Sequence, residues 1–287
     1  MSPTILQIIL LGLIQGAAEL LPVSSSAHVI VAEKLMRLDP ADPVMSFLLV
    51  MLHTGTMFAV IAYFWRAWRK RFFASAAQFR AMVPPVVLAS AGTVAVYLAL
   101  KELLEKVILA GRGRGEIEQL FSNLPLIAAA LLAVGVLILW SARAASRRAA
   151  GGEVTLRAAV VIGLVQGFCV PFRGFSRSGA TISAGLLAGV GRWPAEVFSF
   201  ALAVILTPPA IAQEFLRLRA ARAAAPGAPP LLHLLQPGLI GMGASFVAGL
   251  LGLAWLSRWL ETGRWQLFGY YCLAAAAVIF VLAAAGF

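Results

Sequence analysis

Charge is scarce in this chain. Of its 287 residues only 12% are Asp, Glu, Lys or Arg, about half the ~25% of a soluble domain. Cysteine is nearly absent too. Cys169 and Cys272 both sit in apolar surroundings and can build neither a disulfide framework nor a metal site. A basic start is missing: Met1-Ser-Pro-Thr carries none of the positive charge that opens a signal peptide, so the first apolar stretch is expected to stay. What remains is 61% apolar, with a mean hydropathy of +0.90. Several stretches of about 20 residues run almost without charge, enough to cross a ~30 Å hydrocarbon core. A soluble globular enzyme, a secreted disulfide scaffold and a disordered chain are excluded. A polytopic helical membrane protein is expected.

The formal net charge of +11 does not point to nucleic acid. The basic residues stand in short clusters between apolar segments, as Arg66, Arg69, Lys70 and Arg71 do, which is the pattern of the positive-inside bias. Six segments read as full crossings: about 44–65, 83–104, 122–142, 195–216, 237–257 and 266–287. Two further apolar regions, 4–38 and 158–192, are broken. Pro22 and Ser24-Ser25-Ser26 interrupt the first; Pro171, Gly174, Ser176, Arg177, Ser178 and Gly179 interrupt the second. Irregular backbone is tolerated at membrane depth only where protein or a wet cavity receives it. Both regions therefore read as re-entrant helix–loop–helix hairpins.

The two hairpins resemble one another. Gly12-Leu-Ile-Gln-Gly16 recurs as Gly163-Leu-Val-Gln-Gly167, each followed by a serine cluster and then by a Ser-Phe step, Ser46-Phe47 and Ser199-Phe200. Three matches in order, at a nearly constant offset, indicate a two-fold internal repeat. Three crossings separate the hairpins, so they enter from opposite faces. The expected fold is all-α: one integral-membrane domain, 1–287, with six full transmembrane helices plus two re-entrant hairpins, in inverted repeats of about 1–142 and 143–287. Such repeats place binding sites near the midplane. The 66–82 and 143–157 loops are basic and should be cytoplasmic. The mixed 105–121 loop and the 39–43 link with Asp39 and Asp42 fit the outer side, as do both termini; Arg217, Arg219 and Arg222 in the 217–236 loop fit this orientation poorly.

Ionisable groups inside apolar segments are costly and mark function. The first hairpin has Glu19 and His28 on either side of Pro22-Val-Ser-Ser-Ser26, with Gln15 one turn before Glu19 on the same helix face. The second has Arg173 and Arg177, with hydroxyls at Ser176, Ser178, Thr181 and Ser183. Guanidinium forks suit phosphate, and a helix beginning at Ser178, Gly179 and Ala180 would offer it amides. A pyrophosphate headgroup is the natural occupant. Any one of these serines could simply bond back to its helix. His28 could be a satisfied interfacial histidine, and His53, beside Thr54 and Gly55, reads as packing or a helix contact. His233 lies in a loop with no evident role, and Lys101, Glu102, Glu105 and Lys106 read as snorkelling at a helix end.

Gly16-Ala-Ala-Glu-Leu-Leu-Pro-Val-Ser-Ser-Ser-Ala-His28 and Gly174-Phe-Ser-Arg-Ser-Gly-Ala-Thr-Ile182 resemble the two signatures of the undecaprenyl-pyrophosphate phosphatases of the bacitracin-resistance type. The likeness extends over nearly the whole chain, including Phe64-Trp-Arg66 and Phe198-Ser-Phe200. It implies a membrane enzyme of the bacterial inner membrane, open to the outer side, that removes the terminal phosphate of undecaprenyl pyrophosphate and so recycles the carrier lipid for cell-wall synthesis. It implies Mg²⁺ or Ca²⁺ as cofactor; Glu19 would act either as base or, instead, as the ligand of that cation. The family's functional positions fall on Glu19, Ser25, His28, Ser176, Arg177, Ser178 and Thr181. Around them Gln15, Ser24, Ser26, Arg173 and Gly179 are expected to contact substrate. Partners are the polyprenyl pyrophosphate lipid and the membrane; a homodimer is left open. Two positions depart from the signatures: Gln15 stands where a second glutamate is usual, and Arg173 where proline is usual. One carboxylate is lost and one guanidinium gained, so metal dependence is expected to be reduced, with Arg173 partly replacing the cation. The competing readings are a carrier or flippase for undecaprenyl phosphate, which needs the clamp but no nucleophile, and a catalytically weak paralogue.

Overall fold

The computed structural model describes residues 3–38, 43–108, 123–146, 151–223 and 231–286. Ten α-helices follow in order: α1 Ile5–Leu20, α2 Ser25–Leu35, α3 Pro43–Phe72, α4 Ala76–Leu103, α5 Leu124–Ser146, α6 Leu156–Cys169, α7 Arg177–Leu187, α8 Arg192–Ala223, α9 Leu231–Glu261 and α10 Gln266–Ala284. Six of them are long and apolar enough to cross a membrane. They cover the six expected crossings.

Several ends lie beyond the expected limits. The basic residues Arg66, Arg69, Lys70 and Arg71, placed in a 66–82 loop by sequence, stand on the last turns of α3. Arg and Lys are good helix formers and suit a helix C-terminus, so charge ends the membrane crossing without ending the helix. The true turn is short, and Ser75 caps α4 by accepting from Gln78 N at 3.1 Å. Asp39, Asp42, most of the 105–121 loop and residues 147–150 of the 143–157 loop lie outside the described residues, as do the side chains of Arg217, Arg222 and His233.

Both broken regions form helix–break–helix pairs, α1–α2 and α6–α7. At 1.5 Å per residue, α1 and α6 reach roughly 24 and 21 Å, short of a ~30 Å core. Each pair turns back on itself. Gln7 Nε2 at the start of α1 donates to the Met36 carbonyl just after α2, 3.3 Å away. Gly152, before α6, donates to the Gly189 carbonyl at 3.0 Å, and Gly191 donates back to Gly152 O at 2.8 Å.

The chain divides into two compact units, Met1–Leu20, Ser25–Trp65 and Ala203–Leu256 against Leu21–Ser24, Arg66–Leu202 and Ser257–Phe287. In the first, Ile8, Leu11, Val29, Ala32, Met45, Leu48 and Leu52 form a buried cluster. Here α1 lies directly on α9: a Cβ on Gly16 would stand 2.4 Å from the Ser245 carbonyl oxygen, and one on Gly12 2.8 Å from that of Gly241. In the second unit Ala89, Ala159, Ile162, Ala184, Phe198 and Leu202 are packed together. There α6 lies on α4, with Gly163 and Gly167 against the carbonyls of Ala89 and Thr93. Thr93 Oγ1 donates to both Ala89 O and Gly163 O, at 2.8 and 3.0 Å. The repeated Gly-Leu-x-Gln-Gly pentad thus does the same task twice, letting the first helix of a hairpin touch the backbone of a long helix. Such small-residue contacts drive helix association where the lipid supplies no hydrophobic contrast.

A Cβ on Gly163 would lie 2.2 Å from Ala89 O, and backbone cannot move aside cheaply. Gly163→Ala is expected to destabilise by about 1–3 kcal/mol. Gly243, also in a helix, has nothing within 4 Å, so Gly243→Ala should hold or raise the melting temperature. Thermal unfolding of both variants in detergent checks the pair; equal melting temperatures would mean that the notch is not under constraint.

Candidate active site

In the first unit the chemistry gathers on Glu19. It stands in the last turn of α1, 18% exposed at the side chain. Buried Gln15, one turn earlier, donates through Nε2 to Glu19 Oε2 at 3.3 Å. Ser25, the first residue of α2, donates its hydroxyl to the same oxygen at 2.5 Å. From α3, His53 places Nε2 3.9 Å from Oε2, while its Nδ1 lies 2.8 Å from the Leu49 carbonyl. A carbonyl only accepts, so Nδ1 carries a proton. His28 is half-buried one turn along α2 from Ser25, and Ser26 is half-buried beside it.

The hairpin tip, Leu21–Ser24, belongs to the second unit, where it meets the start of α7. Ser178 donates its hydroxyl to Leu21 O at 3.2 Å, and Cys272 of α10 donates to Pro22 O at 3.2 Å. A Cβ on Gly179 would stand 3.2 Å from Pro22 Cβ, so Gly179 permits this contact. The N-cap of α7 is Ser176, whose Oγ accepts from Gly179 N at 3.3 Å and lies 3.4 Å from Ser178 Oγ. Arg177 opens the helix, half-buried, where the first amides have no acceptor within the helix. Thr181 is buried and bonds both Arg177 O at 2.7 Å and Ser199 Oγ at 2.6 Å. Arg173 is half-buried in the preceding loop. That loop turns at Gly174 (φ 99°), with Ile127 O 2.3 Å from where a Cβ would be.

The structure therefore brings together Gln15, Glu19 and Ser25 in one unit. It brings together the tip ending at Ser24 with Ser176, Arg177, Ser178, Gly179 and Thr181 in the other. Two residues of these networks are not among the sequence candidates, His53 and Ser199. Ser199 was visible only as part of a repeated Ser-Phe step.

Ser24 has φ 66°, a left-handed conformation that costs an L-residue about 1–2 kcal/mol. Ser24→Gly and Ser24→Ala both lose the hydroxyl, but only glycine also loses the strain. The glycine variant should melt roughly 2–4 °C above the alanine one. Equal melting points would show the strain to be negligible.

The donors around Glu19 do not fit a divalent cation held by protein alone. Among the described residues no group of three or more His, Cys, Asp or Glu side chains could hold a metal. Glu19 Oε2 is surrounded by hydrogen-bond donors, whereas Mg²⁺ and Ca²⁺ require several oxygen ligands.

Residues 8–278 match the model of the family described as bacitracin resistance protein BacA. The chain is 55% identical to undecaprenyl-diphosphatase 2 of Acinetobacter baylyi, covering 97% of this chain and 98% of that one. It is 33% identical to the undecaprenyl-diphosphatase of Moorella thermoacetica, over 97% and 98%, and 33% identical to that of Thermomicrobium roseum, over 96% and 97%.

Proposed function

Because the chain belongs to the bacitracin resistance protein family, we propose that it is a membrane phosphatase that hydrolyses undecaprenyl pyrophosphate to undecaprenyl phosphate and inorganic phosphate. The observation that carries a hydrolytic mechanism is the hydrogen bond from Ser25 to Glu19. It pairs a nucleophilic oxygen with a base within reach of its proton, and a carrier has no use for such a pair.

Glu19 takes the proton of Ser25 Oγ, or of a water held beside it, as that oxygen attacks the terminal phosphorus. The anhydride P–O bond breaks and undecaprenyl phosphate leaves; if Ser25 is the nucleophile, water then releases the phosphate from it. Gln15 holds the carboxylate in place, and His28 is the candidate proton donor to the leaving phosphate. Arg177 and the first amides of α7 bind the charge that builds on the phosphoryl oxygens. Ser176, Ser178 and Thr181 fix the start of that helix. No step is assigned to a metal. Arg173 supplies positive charge that a cation would otherwise bring, so metal dependence is reduced. Arg173→Pro should therefore become several-fold more sensitive to EDTA than its parent in a phosphate-release assay. Unchanged metal dependence would sink that role.

The protein is a multi-pass membrane protein with six apolar crossings. Its hairpins are read as re-entrant, each returning to the face it left. The basic helix ends, with Arg66, Arg69, Lys70 and Arg71 on α3, Arg80 on α4 and Arg143 on α5, are read as cytoplasmic, so the first hairpin enters from the outer side and the second from the cytoplasm. The reading of the reactive groups as opening to the outer side of the inner membrane rests on this charge bias and on the family resemblance.

The test is phosphate release from undecaprenyl pyrophosphate by the purified protein in detergent, with Mg²⁺, with Ca²⁺ and with EDTA. Release that is lost on Glu19 or Arg177 substitution supports the phosphatase. A folded protein that binds the lipid and releases nothing is a carrier, and the proposal falls.

A further inference from the structure

The second unit has another cavity, of about 240 Å³, at the far end of α7 from Arg177. Leu186, near the C-terminus of α7, lines it, so roughly 14 Å of helix separates it from the Arg177 end. Arg143 from the last turn of α5 and Arg192 from the start of α8 contribute two guanidiniums. No acidic residue is among the described residues lining it. Arg192 is held in place: Nη1 donates to the Glu261 carbonyl at 3.2 Å. The rest of the guanidinium lies against Gly263, whose φ of 75° makes the tight turn between α9 and α10. Trp265 forms an inner wall; it is 2% exposed and its indole N–H donates to Ser141 Oγ at 3.0 Å. That hydroxyl is itself 2.9 Å from Ser183 on α7. Helices α8 and α10 both begin at this cavity, and their N-termini add positive potential.

Charge alone would suit any anion, but large apolar side chains stand exposed beside the opening. Tyr270 lines the opening and is 53% exposed, and Leu267 and Tyr271 beside it are 39% and 46% exposed. A ligand with its phosphate between the two arginines would lay its hydrocarbon along α10. Two guanidiniums match a phosphate monoester, which carries close to two charges near neutrality, better than a diester with one. Each can bind it through two parallel hydrogen bonds.

We propose that this cavity is a second phosphate site, which binds the headgroup of a lipid phosphate monoester through Arg143 and Arg192, separate from the reactive groups at the α7 N-terminus.

The test uses protein purified in an uncharged detergent, in an Arg177→Ala background so that a headgroup at the other end of α7 adds little. It is offered equal amounts of dioleoyl phosphatidic acid, phosphatidylglycerol and phosphatidylcholine, and retained lipid is counted by native mass spectrometry. Phosphatidic acid should be retained at least tenfold over phosphatidylcholine and several-fold over phosphatidylglycerol. Adding Arg143→Gln and Arg192→Gln should bring it down to the phosphatidylcholine level. Arg80→Gln, which removes an exposed arginine elsewhere, should change nothing. If the double substitution unfolds the protein, Arg143→Gln alone, exposed at a helix end, should still lower retention several-fold. Equal retention of the three lipids, phosphatidylglycerol matching phosphatidic acid, or a preference that survives loss of both arginines overturns the proposal. Inorganic phosphate that displaces phosphatidic acid at equal concentration would show a site for free phosphate and also overturn it.

Discussion

Arg177→Ala is expected to lower phosphate release by about a thousandfold, with most of the loss in kcat. A single hydrogen-bond donor aimed at developing charge contributes on the order of 10²–10³ in rate. Arg177 presents a full charge and a planar fork in a half-buried setting, so the upper end applies. The fold should survive the change. Ser176 caps α7 with its own hydroxyl, and the α7 residues Ala180, Ile182 and Ala184 are buried without help from the arginine. Arg177→Lys should recover part of the rate, because an ammonium restores charge but not the two-pronged geometry. Melting temperature and initial rates on the same preparations separate these effects. A fully active alanine variant would remove Arg177 from the reaction.

Glu19→Gln should cost roughly 10²–10⁴ in rate, the usual contribution of a positioned general base. The substitution keeps shape and hydrogen bonding, so Gln15 and Ser25 retain a partner, yet the amide cannot take the Ser25 proton. Ser25→Ala removes the other half of the pair. If one proton passes between these two groups, the double variant should be no slower than the worse single variant, since residues acting as a unit are not additive. Multiplying losses would mean that Glu19 and Ser25 serve separate steps. That result would leave the family reading intact and remove the serine from the mechanism drawn above.

The crossings were legible because twenty apolar residues in a row admit few other readings. Their ends were less so, since the arginines closing α3 both leave the membrane and favour helix. Pro22 and Gly174 marked the breaks only together with the serine runs beside them: Pro84, Pro85, Pro208, Pro209 and Pro237 stand inside helices, whereas Gly174 takes a left-handed φ of 99° that ends one. His53 makes the helix contact its sequence suggested, to the Leu49 carbonyl; its approach to Glu19 was not legible because that neighbour is tertiary. On its own helix it looks like a packed residue beside Thr54 and Gly55. It reaches Glu19 because Gly55 packs against the Met242 carbonyl of α9 and α9 in turn lies on α1. Periodicity shows that a helix has a small-residue face but not which helix will fill it. For the same reason Gly12 and Gly16 could be recognised as a motif without naming α9, and Ser199 as a repeat without naming Thr181.

The contact between α1 and α9 also has a consequence for synthesis. The notches at Gly163 and Gly167 are filled by α4, which has left the ribosome before α6 appears. Those at Gly12 and Gly16 are filled by α9, which comes at the end of a long stretch of translation. At 5–20 residues per second, α1 waits on the order of ten seconds or more. Throughout that time α1 keeps a bare backbone face. A nascent chain stalled before α9 would therefore be recognisable to membrane quality control by α1.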